Sequence, residues 1–247
     1  MFPIRDHNPS GRTPYVTYTL IAINVIVFIS YWPLFDDPRA LYRFYYEWAM
    51  TPRLVTEQGA YGGLFTSMFL HGGFMHLAGN ILFLFIFGDN IEDEMGHVPY
   101  LLFYLAAGLG AGAAHVLSAP YSQVPTVGAS GAIAGVMGSY LLLYPKAKVD
   151  IFLFFIIFFR ILPIPAWLML CLWFGLQLFN GVGADPESGG VAYWAHAGGF
   201  IIGLALTIPL FLRRGGARFW ARTEGHPPHP EAEYKIGRTR IPVVRRR

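Results

Sequence analysis

Three short runs of the 247-residue sequence bring together side chains that could attack a carbonyl or move a proton. They are His71-Gly-Gly-Phe-Met-His76-Leu-Ala-Gly-Asn80, Gly128-Ala-Ser130-Gly131 and Ala195-His196-Ala-Gly-Gly199-Phe-Ile-Ile-Gly203. A serine hydroxyl attacks an acyl carbon only when a neighbouring base takes its proton, and a neutral imidazole suits that exchange near pH 7. The runs thus hold a candidate nucleophile, candidate bases and an amide donor. Taken singly, each has a plainer reading. A serine among glycines in an apolar helix packs, and an isolated membrane histidine bonds a neighbouring helix. Gly131/Gly135, Gly199/Gly203 and Gly108/Gly112 have the four-residue spacing of close helix packing. His115 reads as an interhelical hydrogen-bond partner, and for His71 a structural hydrogen bond stands beside a part in the chemistry. The coincidence of residue types is what points to catalysis. A metal site is not expected, because His71 and His76, five apart, do not stack on one helix face and no carboxylate accompanies them.

The elements that carry these runs are apolar. The chain is 54% hydrophobic and 13% charged, against about 25% charged in ordinary soluble domains, and its mean hydropathy is +0.43. That composition excludes a disordered chain, a nucleic-acid-binding module and an ordinary cytosolic enzyme. One cysteine, Cys171, excludes a disulfide framework or a Cys-rich metal site. Met1–Pro14 is polar and does not read as a cleaved signal peptide. Apolar runs long enough to cross a bilayer are expected at Tyr15–Trp32, Phe74–Gly88, Val98–Leu117, Ser130–Tyr144, Ile164–Phe179 and Ala195–Leu212. The second stops at the acidic run Asp89–Glu94. Ile151–Phe159, cut off by Arg160, Pro163 and Pro165, is expected to lie along or dip into the bilayer, a longer tilted helix being the alternative. The sequence divides into an N-terminal tail (1–14), a six-helix domain (15–212) and a basic, disordered tail (213–247).

Six spans put both termini on one side. Arginines and lysines concentrate in the C-terminal tail, at Arg5 and Arg12, and at Lys146 and Lys148, so that side is expected to be cytoplasmic. The net charge of +3 then suggests anionic lipid as a contact, not nucleic acid. All three reactive runs open even-numbered spans and so meet at the opposite face. Counting back from the far end of each helix at about 1.5 Å per residue puts Ser130 roughly 9 Å, His196 roughly 4 Å, His76 roughly 6 Å and Asn80 roughly 12 Å below that face. Polar groups at such depth need a polar cavity, and the Ala119–Val127 loop must descend into protein or water to reach Ser130. A water-containing pocket open to the outside follows.

In order and spacing, His71-x4-His76-x3-Asn80, Gly128-Ala129-Ser130-Gly131 and Ala195-His196-x2-Gly199-x3-Gly203 resemble the motifs of bacterial rhomboid intramembrane serine proteases. Phe87–Asp93 and the Trp173–Gln177 stretch are similar to bacterial members too, and the resemblance covers Tyr15–Leu212. It implies an all-α membrane protein, a six-transmembrane-helix rhomboid-like bundle, in a bacterial inner membrane with both termini cytoplasmic. It implies Ser130 as nucleophile and His196 as general base in a dyad without an acidic member. His76, Asn80 and the backbone N–H of Ser130 would hold the oxyanion. His71, Gly128, Gly131, Gly199 and Gly203 would be supporting residues. No cofactor or metal is implied; the partners are the lipid bilayer and transmembrane protein substrates, and the oligomeric state is left open. The Pro33–Gly63 loop, with Tyr45, Tyr46 and Trp48, would lie partly among the lipid headgroups. Two positions depart from the family pattern. Ala134 stands where an aromatic residue often packs under the base, so other contacts must orient the imidazole. Gly62-Gly63 replaces a Trp-Arg pair common in the first outer loop, which leaves that loop's anchoring to other residues. A proteolytically inactive relative that binds transmembrane helices is the alternative reading; a transporter would show repeats and interrupted helix pairs.

Overall fold

The computed structural model describes residues 2–155, 158–185, 187–228 and 230–232. In chain order its elements are β1 (Phe2–Asp6), α1 (Tyr15–Tyr31), α2 (Pro38–Trp48), α3 (Pro52–Gln58), α4 (Gly62–Thr66), α5 (Phe74–Met95), α6 (His97–Ser118), α7 (Ser130–Leu143), β2 (Lys148–Phe155), β3 (Phe158–Pro165), α8 (Ala166–Gly183), α9 (Tyr193–Arg213) and α10 (Ala217–Thr223). Among the described residues five helices, α1 with the turn after it, α5, α6, α8 and α9, are long and apolar enough to cross a membrane, and α7 is a shorter apolar helix. This is the expected helical membrane bundle.

Helix α7 is its axis. Every residue from Gly131 to Tyr140 is buried, and its 14 residues extend about 21 Å, well short of a bilayer core. A helix wrapped in protein can begin below the membrane surface, because the loop leading to it meets protein instead of lipid. Side chains absent from one face set the contact with α9. A Cβ on Gly199 would run into the Gly131 carbonyl, one on Gly203 into the Gly135 backbone, and one on Gly138 into the Phe200 carbonyl. Thr207 on α9 donates a buried hydrogen bond to Ser139 Oγ on α7 at 2.9 Å. The glycine spacing is therefore packing, as its period suggests.

The structure revises several boundaries. Helix α5 does not stop at Gly88 but continues through the acidic run to Met95. Those acids are satisfied by neighbours: Glu92 accepts from the backbone N–H groups of Val16 and Thr17 at 2.8 Å each and lies 2.6 Å from His97 Nδ1, while Tyr144 donates to Glu94 at 2.9 Å and Arg214 pairs with it. Charge marks where a membrane ends, and a helix with partners outside it runs on. The alternative of one longer tilted helix through Ile151–Phe159 does not hold: the described residues on either side of 156–157 form an antiparallel hairpin, β2–β3, paired from Lys148↔Pro165 to Phe155↔Phe158. Val, Ile and Phe favour extended pairing, and the prolines of β3 fit a sheet edge. The N-terminal residues form β1 on the other edge of β2, with Asp6 opposite Val149. After Arg213 the chain folds again: Phe219 of α10 is buried against Tyr144 and Phe211, and Trp220 donates to the Leu142 carbonyl at 2.9 Å. The closing arginines, 245–247, lie outside the described residues.

Candidate active site

Ser130 is the first residue of α7. The first backbone N–H groups of a helix have no helical acceptor and carry its positive end. Gly128, two residues earlier, has a φ of +133°, and a Cβ there would come within 2.8 Å of His76 Nε2 and 3.4 Å of Ser130 Oγ. Its lack of a side chain lets the His76 imidazole and the serine hydroxyl share one space. The Gly128 N–H donates to the Ser67 carbonyl at 2.9 Å, which holds the turn before the serine.

From α9, His196 reaches Ser130: its Nε2 lies 2.7 Å from Ser130 Oγ. On the other side of the ring, Nδ1 lies 2.9 Å from Gln177 Oε1 on α8. The ring of Trp173, also on α8, has its centroid 5.8 Å from that of the imidazole and is tilted by 31°. Ala134 is buried within α7, so the aromatic neighbour of the imidazole comes from α8. Gln177 enters the sequence reading only as the end of the Trp173–Gln177 stretch; its own signal is an amide inside an apolar span, one of the polar groups a membrane helix keeps for a partner.

His76 and Asn80 enter from α5. His76 Nδ1 accepts the Gly72 N–H at 3.3 Å, so the ring proton is on Nε2, facing Gly128 and Ser130. Asn80 donates through Nδ2 to the His76 carbonyl at 2.9 Å, one turn back, which leaves its second N–H for the cavity. His71 is buried without reaching the serine. Its ring lies edge-on to Phe28 and 5.2 Å from the His76 ring. Its backbone N–H donates to the Tyr31 hydroxyl at 2.7 Å, and its carbonyl accepts from Tyr31 and Tyr45 at 2.8 and 3.0 Å. Tyr45 therefore faces inward, while Tyr46 and Trp48 are exposed. His115 bonds Thr126 of the descending loop at 3.1 Å and not another helix. That loop pairs with the outer segment through Thr126 and Met50. In place of a Trp-Arg anchor, Gly63 lets α4 pass against the Ala49–Met50 backbone, and Thr66 donates to the Trp48 carbonyl at 2.5 Å.

Ser130, His196, His76, Asn80, Gly128 and Gly131 line one cavity of about 1220 Å³, together with Met75, Trp173 and Trp194. Gly199 and Gly203 lie behind it at the α7–α9 contact. A hydroxyl hydrogen-bonded to an imidazole, facing a second imidazole N–H and a helix N-terminus, is an arrangement suited to acyl transfer.

The family model described as the Rhomboid domain matches residues 58–213. The chain is 30% identical over 199 residues to "Rhomboid protein 1, mitochondrial" of Saccharomyces cerevisiae, covering 76% of this chain and 51% of that protein. It is 43% identical over 84 residues to "Rhomboid protease GluP" of Bacillus subtilis, covering 34% of this chain and 16% of that one. It is 30% identical over 128 residues to "Putative rhomboid protease YdcA" of the same organism, covering 52% and 61%. The chain thus spans about half the length of the yeast relative and less of GluP.

Proposed function

The chain is a multi-pass membrane protein that belongs to the rhomboid family, and from that premise we propose that it is a serine endopeptidase cleaving transmembrane proteins in or near their membrane segment. The observation that carries the reading is the 2.7 Å separation of Ser130 Oγ and His196 Nε2. Ser130 attacks the scissile carbonyl while His196 Nε2 takes its proton and later returns it to the leaving amine. The tetrahedral oxyanion is held by the Ser130 backbone N–H, the His76 Nε2–H and the free N–H of Asn80, donors fixed before the reaction begins. Water then repeats the cycle on the acyl-enzyme.

The substrate must present an extended backbone, because the carbonyls of an intact helix are already hydrogen-bonded. Small or helix-breaking residues near the cut satisfy that need. The protease domain is residues 15–212, with the 1–14 and 213–247 segments in the cytoplasm of a bacterium and the cavity facing out of its inner membrane. The concentration of arginine and lysine in the sequence at Arg5 and Arg12, at Lys146 and Lys148 and after Leu212 supports that orientation.

Purified protein in detergent should cleave a model transmembrane substrate without added metal or nucleotide, and a fluorophosphonate should label it at Ser130. Ser130→Ala and His196→Ala should each abolish cleavage and leave the fold intact. Cleavage by Ser130→Ala at the wild-type rate would overturn the mechanism. A folded wild type that neither cleaves nor takes the label would favour the helix-binding, inactive reading.

A further inference from the structure

The imidazole of His196 is held by α8 as well as by the serine. We propose that Gln177 is the positioning residue of the base, a neutral third member behind Ser130 and His196, with Trp173 as the aromatic neighbour of the imidazole. The proposal rests on the Ser–His reading above and adds the residue that sets the base's tautomer and orientation.

Gln177 sits in the middle of α8 and is buried. Its Nε2 donates to the Trp173 carbonyl at 3.2 Å, one turn earlier. This bond decides which end of the carboxamide is which, because the reversed amide would set oxygen against oxygen. Oε1 must then face His196 Nδ1, 2.9 Å away. A carboxamide oxygen only accepts, so Nδ1 carries the ring proton and Nε2 keeps its lone pair. That nitrogen is the one facing Ser130. Three hydrogen bonds thus run one way, from the serine hydroxyl to imidazole to amide to the Trp173 carbonyl, and each link fixes the polarity of the next.

Trp173 completes the hold. Its ring centroid lies 5.8 Å from that of the imidazole, with the planes tilted by 31°, and 6.1 Å from that of Phe200. Ala134 leaves α7 without a ring of its own for this purpose. Both the tautomer and the tilt of the base are therefore set by one turn of α8, Trp173 to Gln177. A neutral amide fits this place: it selects the tautomer without burying a charge beside the base. The other titratable groups around the ring are His76 from α5, His115 from α6 and, on the cavity wall, Asp185 after α8 and Tyr193 of α9.

The test compares steady-state cleavage of a transmembrane substrate by wild type, Gln177→Leu and Gln177→Glu across pH, with Ser130→Ala and His196→Ala alongside. Gln177→Leu should lower kcat about 10- to 100-fold, as misplacing a catalytic group does, with KM changed less than about twofold. Gln177→Glu keeps the acceptor but adds a charge that favours imidazolium. The acid limb of its kcat/KM profile should move up by about one pH unit or more, and above that limb its kcat should recover well beyond that of Gln177→Leu. A purely structural glutamine would give neither the displaced limb nor that recovery. Wild-type kcat in Gln177→Leu, or an unmoved limb in Gln177→Glu, overturns the positioning role. If Gln177→Leu fails to fold, the Gln177→Glu profile decides alone. Loss of activity in the Ser130 and His196 variants beside an unaffected Gln177→Leu removes only this inference; full activity in those variants removes the reading beneath it.

Discussion

The His76 imidazole stands where a side chain on Gly128 would project: a Cβ on that glycine would lie 2.8 Å from His76 Nε2 and 2.9 Å from Cε1. At a φ of +133° the position is strained for any L side chain, by about 1–3 kcal/mol. Gly128→Ala should therefore displace His76 from the serine. Loss of one oxyanion donor lowers turnover about 10²- to 10³-fold, and a fall of that size in kcat is expected. Cleavage assays paired with thermal melts in detergent would check it. A melt lowered by a few degrees with turnover intact would show that His76 does not act at the reaction centre.

Glu92 holds the opposite pole of the bundle. Its carboxylate is 1% exposed and accepts from the N–H groups of Val16 and Thr17 and from the Thr17 hydroxyl. It caps α1 from another helix and also meets His97 at the start of α6. Glu92→Ala strands buried donors, each costing about 1–3 kcal/mol, and should lower the melting temperature markedly. Glu92→Gln, which retains an acceptor, should lie between. Because the site is far from this pole, the surviving folded fraction should keep the wild-type KM.

Some of this architecture is written in the residues and some is not. The face shared by Ser130, His196, His76 and Asn80 follows from polar side chains opening alternate apolar spans, since each successive crossing reverses direction. The Asp89–Glu94 run misleads because charge reports the membrane boundary, while the helix carrying it is extended by partners far away in sequence, Val16 and Thr17 of α1, Tyr144 and Arg214, and by His97 just beyond it. Ile151–Phe159 is apolar on both faces, and an apolar run of that length has no period to separate strand from helix. Gln177 was visible as an amide out of place in an apolar span. Its partner was not, because that depends on how α8 is turned against α9. The burial of Phe219 among the arginines of the tail is a tertiary contact with Tyr144, which local composition does not encode.

The α7–α9 contact leaves no room for growth. A methyl on Gly203 meets the Gly135 backbone and one on Gly199 meets the Gly131 carbonyl. Backbone cannot rotate aside as a long side chain can. Gly199→Ala and Gly203→Ala should each destabilise the protein by about 1–3 kcal/mol or more. They differ in reach: Gly199 packs one turn from His196 and Ser130, so its substitution should lower kcat of the folded enzyme as well, whereas Gly203→Ala should act chiefly on stability. Equal loss of kcat in both would contradict that separation.

Asp6, at the end of β1, faces Asp89 across the Asn90 carboxamide, whose Nδ2 donates to Asp6 at 2.9 Å and to Asp89 at 3.0 Å. Tyr140, near the end of α7, donates to Asp6 at 3.1 Å. Burial first, and then the Asp89 charge, push the Asp6 carboxyl up from 3.8 to about 8. A carboxyl raised in this way binds a proton in the folded state that the unfolded chain has already released. Its contribution to stability is fully present below about pH 4 and is lost as pH rises towards 8. Asparagine copies the protonated form and cannot ionise. Asp6→Asn should therefore melt close to wild type near pH 4 and progressively above it as pH climbs, the gap levelling off beyond pH 8. Melting curves in detergent at pH 4, 6 and 8 measure the effect. A gap that stays constant across that window would mean that Asp6 keeps the same charge in both states, and that the strand is held to α5 and α7 without a shared proton.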